Sequence, residues 1–453
     1  MNPGEPVTIQ RCVLVLPSTG EFDSRTFRIA SSLTARGHQV TVVARQGPGL
    51  PDDELHPSGY RIVRVPVSAT LGLPAVLRPL ARRLHRAPAR PPAAGANGRP
   101  VAERASSTQP PIAGRAPRGG RLGQLAGGFT RLAAIALTVR AQRIATRQVG
   151  VRADLVHAMA YMGIPIGLDL GRRDGAPVIY DARDIYVDAS NLARLPGPAR
   201  RLFRRIERGW ARHAARVVTV NDAYADVMTT RFGTERPLVV LNCAYRRPAD
   251  PVKPRRFHER LGLASDSRVV LYQGGFSRDR GIEELIDALP SLPPEAVLVL
   301  LGYGALQAEL ERLAADAAQA GRLFVLPAVP PTELLDWVAS ADIVAMPIQP
   351  TTLNHRLTTP NKLFEAMAAG VPVVASDLPG MAPIVRATGC GLVCDPTRST
   401  EIATTIRSIL GVSGADRAAM GARGQLAAQE TYNWESQMAT LLAEYGRLTG
   451  QPW

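Results

Sequence analysis

Short runs of Val, Ile and Leu recur along the chain, and they constrain its fold more than any other feature. In the first half they are Val13–Leu16, Val40–Val43, Ile62–Val65, Leu155–His157, Val178–Tyr180, Val217–Val220 and Leu238–Leu241. In the second they are Val269–Tyr272, Val297–Leu301, Leu323–Leu326, Ile343–Met346, Val371–Val374 and Leu392–Val393. Stretches of helical period separate them. Continuous apolar runs of this kind are buried on both faces, which is the condition of parallel strands followed by crossover helices. The pattern predicts an α/β chain of two doubly wound halves. Tyr245–Arg256, with three prolines and no apolar period, reads as a link between them. Ligands bind beyond the carboxyl ends of strands in such sheets, so a cleft between the halves is the expected site.

The 453 residues carry a formal charge of +15, which on a single folded face would suggest a nucleic-acid binder. Its distribution argues otherwise. Residues 71–148 hold fourteen Arg and one acid, Glu103, so +13 lies in one insert and the remaining chain is nearly neutral. Residues 87–120 hold seven prolines and almost no large apolar side chains. They cannot bury enough surface to offset their ordering entropy, so disorder is expected there. The flanks, 73–86 and 122–148, read as helices, with Arg on several sides of the second.

Neither a transmembrane run nor a secretory start is visible, which places the chain in the cytoplasm. The insert makes peripheral attachment to an anionic inner-membrane face an expectation for residues 71–148. Cys12, Cys243, Cys390 and Cys394 form no disulfide or zinc pattern and read as buried thiols. No Asp-x-Asp motif and no carboxylate or histidine cluster suggests a metal, and no cofactor is expected.

Only two lysines, Lys253 and Lys362, stand among the 54 basic residues. Lys362 falls in the most informative segment, Thr359-Pro-Asn-Lys-Leu-Phe-Glu-Ala-Met-Ala-Ala-Gly-Val-Pro-Val-Val374. Pro360 suits a helix start, Leu363, Phe364 and Met367 an apolar face, and Gly370 a helix stop before a buried strand. Asn361 and Lys362 then sit at the positive end of the helix, a setting for phosphate. Glu365, one turn on, could accept hydrogen bonds from an attached ribose. A second loop, Leu271-Tyr-Gln-Gly-Gly-Phe-Ser-Arg-Asp-Arg-Gly-Ile282, brings Gly274 and Gly275 where backbone can approach a ligand closely, and one of Arg278 and Arg280 toward a diphosphate. Gly302 and Gly304 offer a similar approach after the next strand, or only a tight turn.

These segments resemble the retaining, nucleotide-sugar-dependent glycosyltransferases of family four, with GT-B architecture: two Rossmann-like parallel-sheet domains. The resemblance covers nearly the whole chain apart from the insert. It implies domains at 1–245 and 267–430, a linker at 246–266, and a closing segment 431–453 that returns to the first domain, with Trp434 as packing. It implies that Glu365 binds the donor ribose, that Arg280 and Lys362 hold the diphosphate, that Asn361 and Leu363 adjoin it, and that backbone near Ala328 and Val329 meets the base. Asp154-Leu-Val-His157 resembles the family's Asp-x-x-His, which implies a sugar contact for His157. The loop Pro17-Ser-Thr-Gly20 with Phe22-Asp-Ser-Arg25 stands at the acceptor side, with Thr19 and Gly20 its candidates. Asp181-Ala-Arg-Asp184 either touches the acceptor through Asp181 and Asp184 or caps a helix. Two departures stand out: Leu357 occupies the place of a first glutamate, and Gly274-Gly275 replaces a Gly-Arg pair.

The expected activity is transfer of a sugar from a nucleoside diphosphate to a hydroxyl of a glycan, lipid-linked or small-molecule acceptor, with retention and without a metal. The residues leave open a GT-B epimerase or phosphorylase, and a non-enzymatic protein that binds through the basic insert. The insert holds one aromatic residue, Phe129, so no specific nucleic-acid partner is expected.

Overall fold

The computed structural model describes residues 9–21, 23–68, 70–71, 121–249, 252–316 and 321–453. The contacts divide the chain into two compact units, Met1–Val240 with Met438–Trp453, and Leu241–Gln437.

The first unit is built on β1 (Arg11–Val15), β2 (Gln39–Arg45), β3 (Asp53–Leu55), β4 (Arg61–Val65), β5 (Leu155–Met159), β6 (Val178–Asp181), β7 (Arg216–Thr219) and β8 (Leu238–Val239). Their order is β3-β4-β2-β1-β5-β6-β7-β8. Each of the seven apolar runs becomes a strand, and all pair in parallel. The addition is β3, antiparallel to β4 at the edge. It reads Asp-Glu-Leu and is not buried, so no apolar run announces it. Register sets Leu14 of β1 between Val42 and His157, which puts His157 in the middle of the sheet.

The second unit carries β9 (Arg268–Gly275), β10 (Ala296–Tyr303), β11 (Leu323–Pro327), β12 (Ile343–Met346), β13 (Val373–Ser376) and β14 (Gly391–Cys394), in the order β11-β10-β9-β12-β13-β14 and wholly parallel. Successive residues of β9 enter opposite cores. Val269 and Leu271 pack on the side of Phe364 and Met367, whereas Val270 and Tyr272 pack on the side of Ile286 and Ile402. Burial on both faces is why the strand reads as an unbroken apolar run. Each such side chain contributes roughly 1.5–3 kcal/mol of transfer free energy.

Two expected boundaries shift. The described residues of the expected linker, 246–249 and 252–266, group with the second unit: Arg256–Leu261 is a helix ended by Gly262 at φ +64°, and Phe257 is fully buried edge-on to Trp337, with ring centroids 5.2 Å apart. Phe257, with Leu261 one turn on, packs on the core, but two apolar residues among Arg, His and Glu make too short a run to show a period. The return to the first unit falls at Met438, inside the helix Trp434–Thr449, not at residue 431. Trp434 is buried, as its packing role requires.

The helix expected at 122–148 spans Arg121–Val149. The stretches 73–86 and 87–120 lie outside the described residues. All four cysteines are buried and free, and burial pushes the Cys394 thiol up to about 12.

Candidate functional site

Strand order reverses in the second unit between β9 and β12, so the loops leaving their carboxyl ends diverge and open a crevice. The loop after β9 is shaped by glycine. Gly281 has φ +77°, and a Cβ there would lie 2.0 Å from the carbonyl oxygen of Pro347, just past β12. Gly302 would place a Cβ 1.9 Å from Gly274 O, and Gly304 one 2.3 Å from Phe276 O. Gly281 and Gly304 let the chain's own loops touch, and Gly302 lets the end of β10 lie against the end of β9. For Gly302 and Gly304, that packing accounts for the absence of a side chain without a nucleotide. Gly275 differs: it is exposed, with nothing within 4 Å of its Cβ position.

The helix Asn361–Ala368 connects β12 to β13, so its amino end starts at the same carboxyl edge. Lys362 is buried there. Its Nζ lies 3.7 Å from the centroid of the Tyr272 ring and would stand 3.6 Å from a Cβ at Gly274. Among the described residues no carboxylate pairs with it. Burial, then the neighbouring Arg280, lower its pKa to about 7, against the opposing pull of Glu365. A buried ammonium over an aromatic face, beside open glycine backbone, is a cation placed for an incoming anion.

Arg280 makes no ion pair among the described residues, whereas Arg278 turns outward to Glu283 and Glu309 at 3.6 and 3.7 Å. The arginine facing Lys362 is therefore Arg280. Asp279 between them holds φ +66°, a conformation a non-glycine residue adopts at a cost of about 1–3 kcal/mol. Glu365 is buried, and its Oε2 accepts from Gln273 Nε2 at 3.0 Å, while Gln273 Oε1 is buried with no partner. Asn361 opens the helix beside Lys362. Leu363, expected next to the donor, is instead core: its side chain is fully buried and its N–H donates to Pro360 O at 3.0 Å. Ala328 is exposed immediately after β11. Leu357 ends the short helix Leu353–Leu357.

The first unit also concentrates polar groups where its strand order reverses, between β1 and β5. They face one another. His157 is fully buried: Nε2 lies 3.0 Å from Asp181 Oδ2, and Nδ1 2.6 Å from the Tyr445 hydroxyl. Arg25, also buried, donates to Asp181 Oδ2 at 2.6 Å and to Val240 O at 2.7 Å. Burial favours the neutral form of both His157 and Asp181. For His157 it prevails, holding the ring neutral; for Asp181 it is the largest single effect, yet Arg25, His157 and Arg183 together outweigh it and keep the carboxylate well below its usual range.

The structure places both expected site residues, His157 and Asp181, inside the first unit. Both ring nitrogens are taken by protein, and Asp181 has no exposed surface. The strand Leu155–Met159 runs two residues past His157, so the histidine does not sit at a strand end. Asp184 is half-buried in the loop after β6. Thr19 donates to Glu21 at 3.1 Å, and Gly20 turns with φ +90°. Arg183 holds Asp23 through both carboxylate oxygens, at 2.8 and 2.6 Å, while Asp23 caps the helix Ser24–Thr34.

Tyr272, Gln273 and Tyr445 escaped the sequence reading. Tyr272 and Gln273 stand on β9, where a strand position carries no mark of what crosses its end. Tyr445 reaches His157 from 288 residues away. A rarity did flag Lys362, as one of two lysines. Among the described residues no three His, Cys, Asp or Glu side chains meet as metal ligands could.

Two doubly wound parallel sheets, one ending in a glycine-lined cation site, define the class as the GT-B fold. Residues 254–426 match the model of glycosyl transferases group 1, and residues 92–244 that of the glycosyl transferase 4-like domain. The chain belongs to these family-four glycosyltransferases. It is 32% identical over 45% of its length to the D-inositol 3-phosphate glycosyltransferase of Xylanimonas cellulosilytica, covering 48% of that protein. It is also 32% identical over 42% of its length to the GDP-mannose-dependent alpha-(1-6)-phosphatidylinositol monomannoside mannosyltransferase of Mycolicibacterium smegmatis, covering 51% of it. The chain thus spans about half the length of these relatives. In fold it is similar to sucrose-phosphate synthase from Thermosynechococcus elongatus, with TM-score 0.68, 19% identity and coverage of 97% and 99% of the two chains. Anabaena Alr3699/HepE, solved with UDP and glucose, gives TM-score 0.63 at 18% identity, covering 97% and 100%.

Proposed function

We propose that this protein transfers a sugar from a nucleoside diphosphate to a hydroxyl acceptor, with the anomeric configuration retained and without a metal. The observation that carries the reading is Lys362: a buried ammonium at a helix amino end, unpaired by carboxylate, with Arg280 beside it and Glu365 one turn further. Two cations and helix N–H groups meet the charge that develops on a departing diphosphate. Glu365, oriented by Gln273, is placed one helical turn beyond, the reach of a ribose diol. Anabaena Alr3699/HepE, a fold neighbour, was solved in complex with UDP and with UDP-glucose, and the relatives are a D-inositol 3-phosphate glycosyltransferase and a phosphatidylinositol monomannoside mannosyltransferase. These support a nucleotide-sugar donor and a phosphorylated or lipid-linked acceptor.

We assign the site carboxylate Glu365 to the ribose and no other described residue to the role of nucleophile. The mechanism we favour is same-face attack, in which the acceptor oxygen bonds to the anomeric carbon as the bond to the diphosphate oxygen breaks. The acceptor proton passes to that departing oxygen. The protein positions the substrates and stabilises the leaving charge.

Nucleoside-diphosphate release from a panel of nucleotide sugars, with and without chelator and with the product anomer read by NMR, tests the reading. Lys362→Ala and Glu365→Ala should each lower turnover by about two orders of magnitude, on the scale of losing one stabilising group, a donor at Lys362 and an acceptor at Glu365. Unchanged turnover in both would overturn the site. Conversion of donor without acceptor would replace transfer by epimerisation.

A further inference from the structure

Three neighbouring strands of the first unit begin with polar side chains on one face of the sheet. Arg11 opens β1 and pairs with Gln39, which opens β2; Thr41, two residues along β2, pairs with Arg61, which opens β4. Paired residues of adjacent strands, and alternate residues of one strand, project to the same side. Arg11, Gln39, Thr41 and Arg61 therefore stand together. With Cys12, and with Val151 and Arg152 from the segment that enters β5, they line a cavity of about 170 Å3. That suits a small ion and its waters, whereas pockets for drug-sized ligands run to roughly 300–1,000 Å3. The cavity lies at the amino edge of the strands, opposite the loops that bear Thr19 and Asp184.

The lining carries three guanidinium groups and no carboxylate. Acids do balance the arginines, but none of them is part of the lining. Arg11 donates from Nε and Nη2 to Asp154 at 3.1 and 2.6 Å, Arg61 from the same two nitrogens to Asp53, and Arg152 from Nη1 to Asp174 at 2.9 Å. Each guanidinium is thus held along one edge only. Among the described residues, Nη1 of Arg11 and of Arg61, and Nε and Nη2 of Arg152, have no partner, and neither the Gln39 nor the Thr41 side chain makes a hydrogen bond. The Val151 carbonyl, an acceptor that would repel an anion, is taken by Arg173. An arginine already fixed by a carboxylate loses little further side-chain freedom when its other edge meets a ligand.

We propose that this cavity is a phosphate site, which takes inorganic phosphate or the phosphate group of a small monoester. The free N–H groups of the three arginines and the Thr41 hydroxyl meet an ion whose oxygens each accept more than one hydrogen bond. A divalent cation finds no carboxylate in the lining to ligate it. Because Asp53, Asp154 and Asp174 offset most of the positive charge, selectivity comes from directed hydrogen bonds, and chloride is held less well than phosphate. The bound ion ties β4, β2, β1 and the entry to β5 together and stabilises the first unit by mass action. The site is separate from the cations at Lys362 and Arg280, which belong to the second unit.

The test is isothermal titration of inorganic phosphate into the full chain carrying Lys362→Ala, which removes the donor-side cation, with chloride adjusted to constant ionic strength. Phosphate should bind, and should raise the thermal midpoint above that in chloride alone. Arg61→Gln and Arg152→Gln, added to that chain, should each weaken binding about tenfold, on the scale of one charge-assisted hydrogen bond. Thr41→Val leaves every ion pair in place and should weaken it about threefold, so the proposal stays open to refutation if an arginine variant fails to fold. Thermal midpoints in chloride show which variants fold. A hexose 6-phosphate that binds as tightly as the free ion identifies a monoester as the ligand, and one that binds more weakly identifies inorganic phosphate; either bears the site out. Three results would overturn it: no phosphate binding in the Lys362→Ala chain, undiminished affinity in all the folded variants, or an equal response to chloride.

Discussion

At Lys362 three effects compete. Burial and Arg280 disfavour the ammonium, Glu365 favours it, and the balance leaves its pKa near 7 rather than 10.5. The group is therefore about half charged at neutral pH and loses its charge as pH rises. A bound diphosphate would favour the charged form. Donor binding should then take up a proton above pH 7, and affinity should fall by up to tenfold for each pH unit above that point. Isothermal titration in buffers of different ionisation enthalpy measures both. In Lys362→Arg the charge cannot be lost, so any residual affinity should be flat with pH over this range. His157 is the opposite case. Burial keeps it neutral, and its two partners fix the ring, so it ties β5, β6 and the final helix together. Removing the Tyr445 hydroxyl in Tyr445→Phe should cost about 1–3 kcal/mol of stability in the first unit. Chemical denaturation would read this, with donor affinity unchanged.

Loops, more than strands, are the elements that make the site. Gly281 opens the helix Ile282–Ala288 at φ +77°, with Pro347 O where a Cβ would be. In Gly281→Ala the loop carrying Asp279 and Arg280 must move off the end of β12. The expected cost is roughly 1–3 kcal/mol of backbone strain, together with a donor KM raised by at least about tenfold, since a displaced Arg280 no longer stands beside Lys362. Steady-state kinetics with a thermal midpoint measures both. Wild-type KM would show that the loop does not carry the site. The other left-handed non-glycine residue, Ala160 at φ 60°, occurs directly after β5. Both strained positions thus fall where a sheet changes direction.

Across the whole molecule, the chain leaves the first unit after Val240 and re-enters it at Met438. The last sixteen residues are thus part of the first core: Met438, Leu441 and Tyr445 are all buried. Three such side chains contribute roughly 1.5–3 kcal/mol each, a large share of the roughly 5–15 kcal/mol that holds a domain. Truncation after Gln437 should raise hydrogen exchange in β1, β5 and β6 and leave β9–β14 protected. Uniform protection would show that the segment is dispensable.

The parallel strands were legible because burial on both faces writes itself locally, as in Val269–Tyr272 or Val297–Leu301. So was the helix Asn361–Ala368, whose start at Pro360 and stop near Gly370 lie within one short segment. The edge strand Asp53–Leu55 was not, because pairing through backbone on one side asks nothing of its side chains. Phe257 was missed for the related reason that a single buried ring has no period.

The sequence by itself determined two parallel-sheet units, the helix that carries Lys362, and a charge concentrated outside the nearly neutral remainder. Only the tertiary structure decided that Arg278 turns outward to Glu283 and Glu309, that Tyr272 lies under the Lys362 ammonium, and that His157 belongs to a closed network with Asp181, Arg25 and Tyr445. Periodicity and capping act between neighbours in the chain and can be read there. Burial, ion pairing and a displaced pKa depend on groups brought together from distant positions, and exist only once the chain has folded.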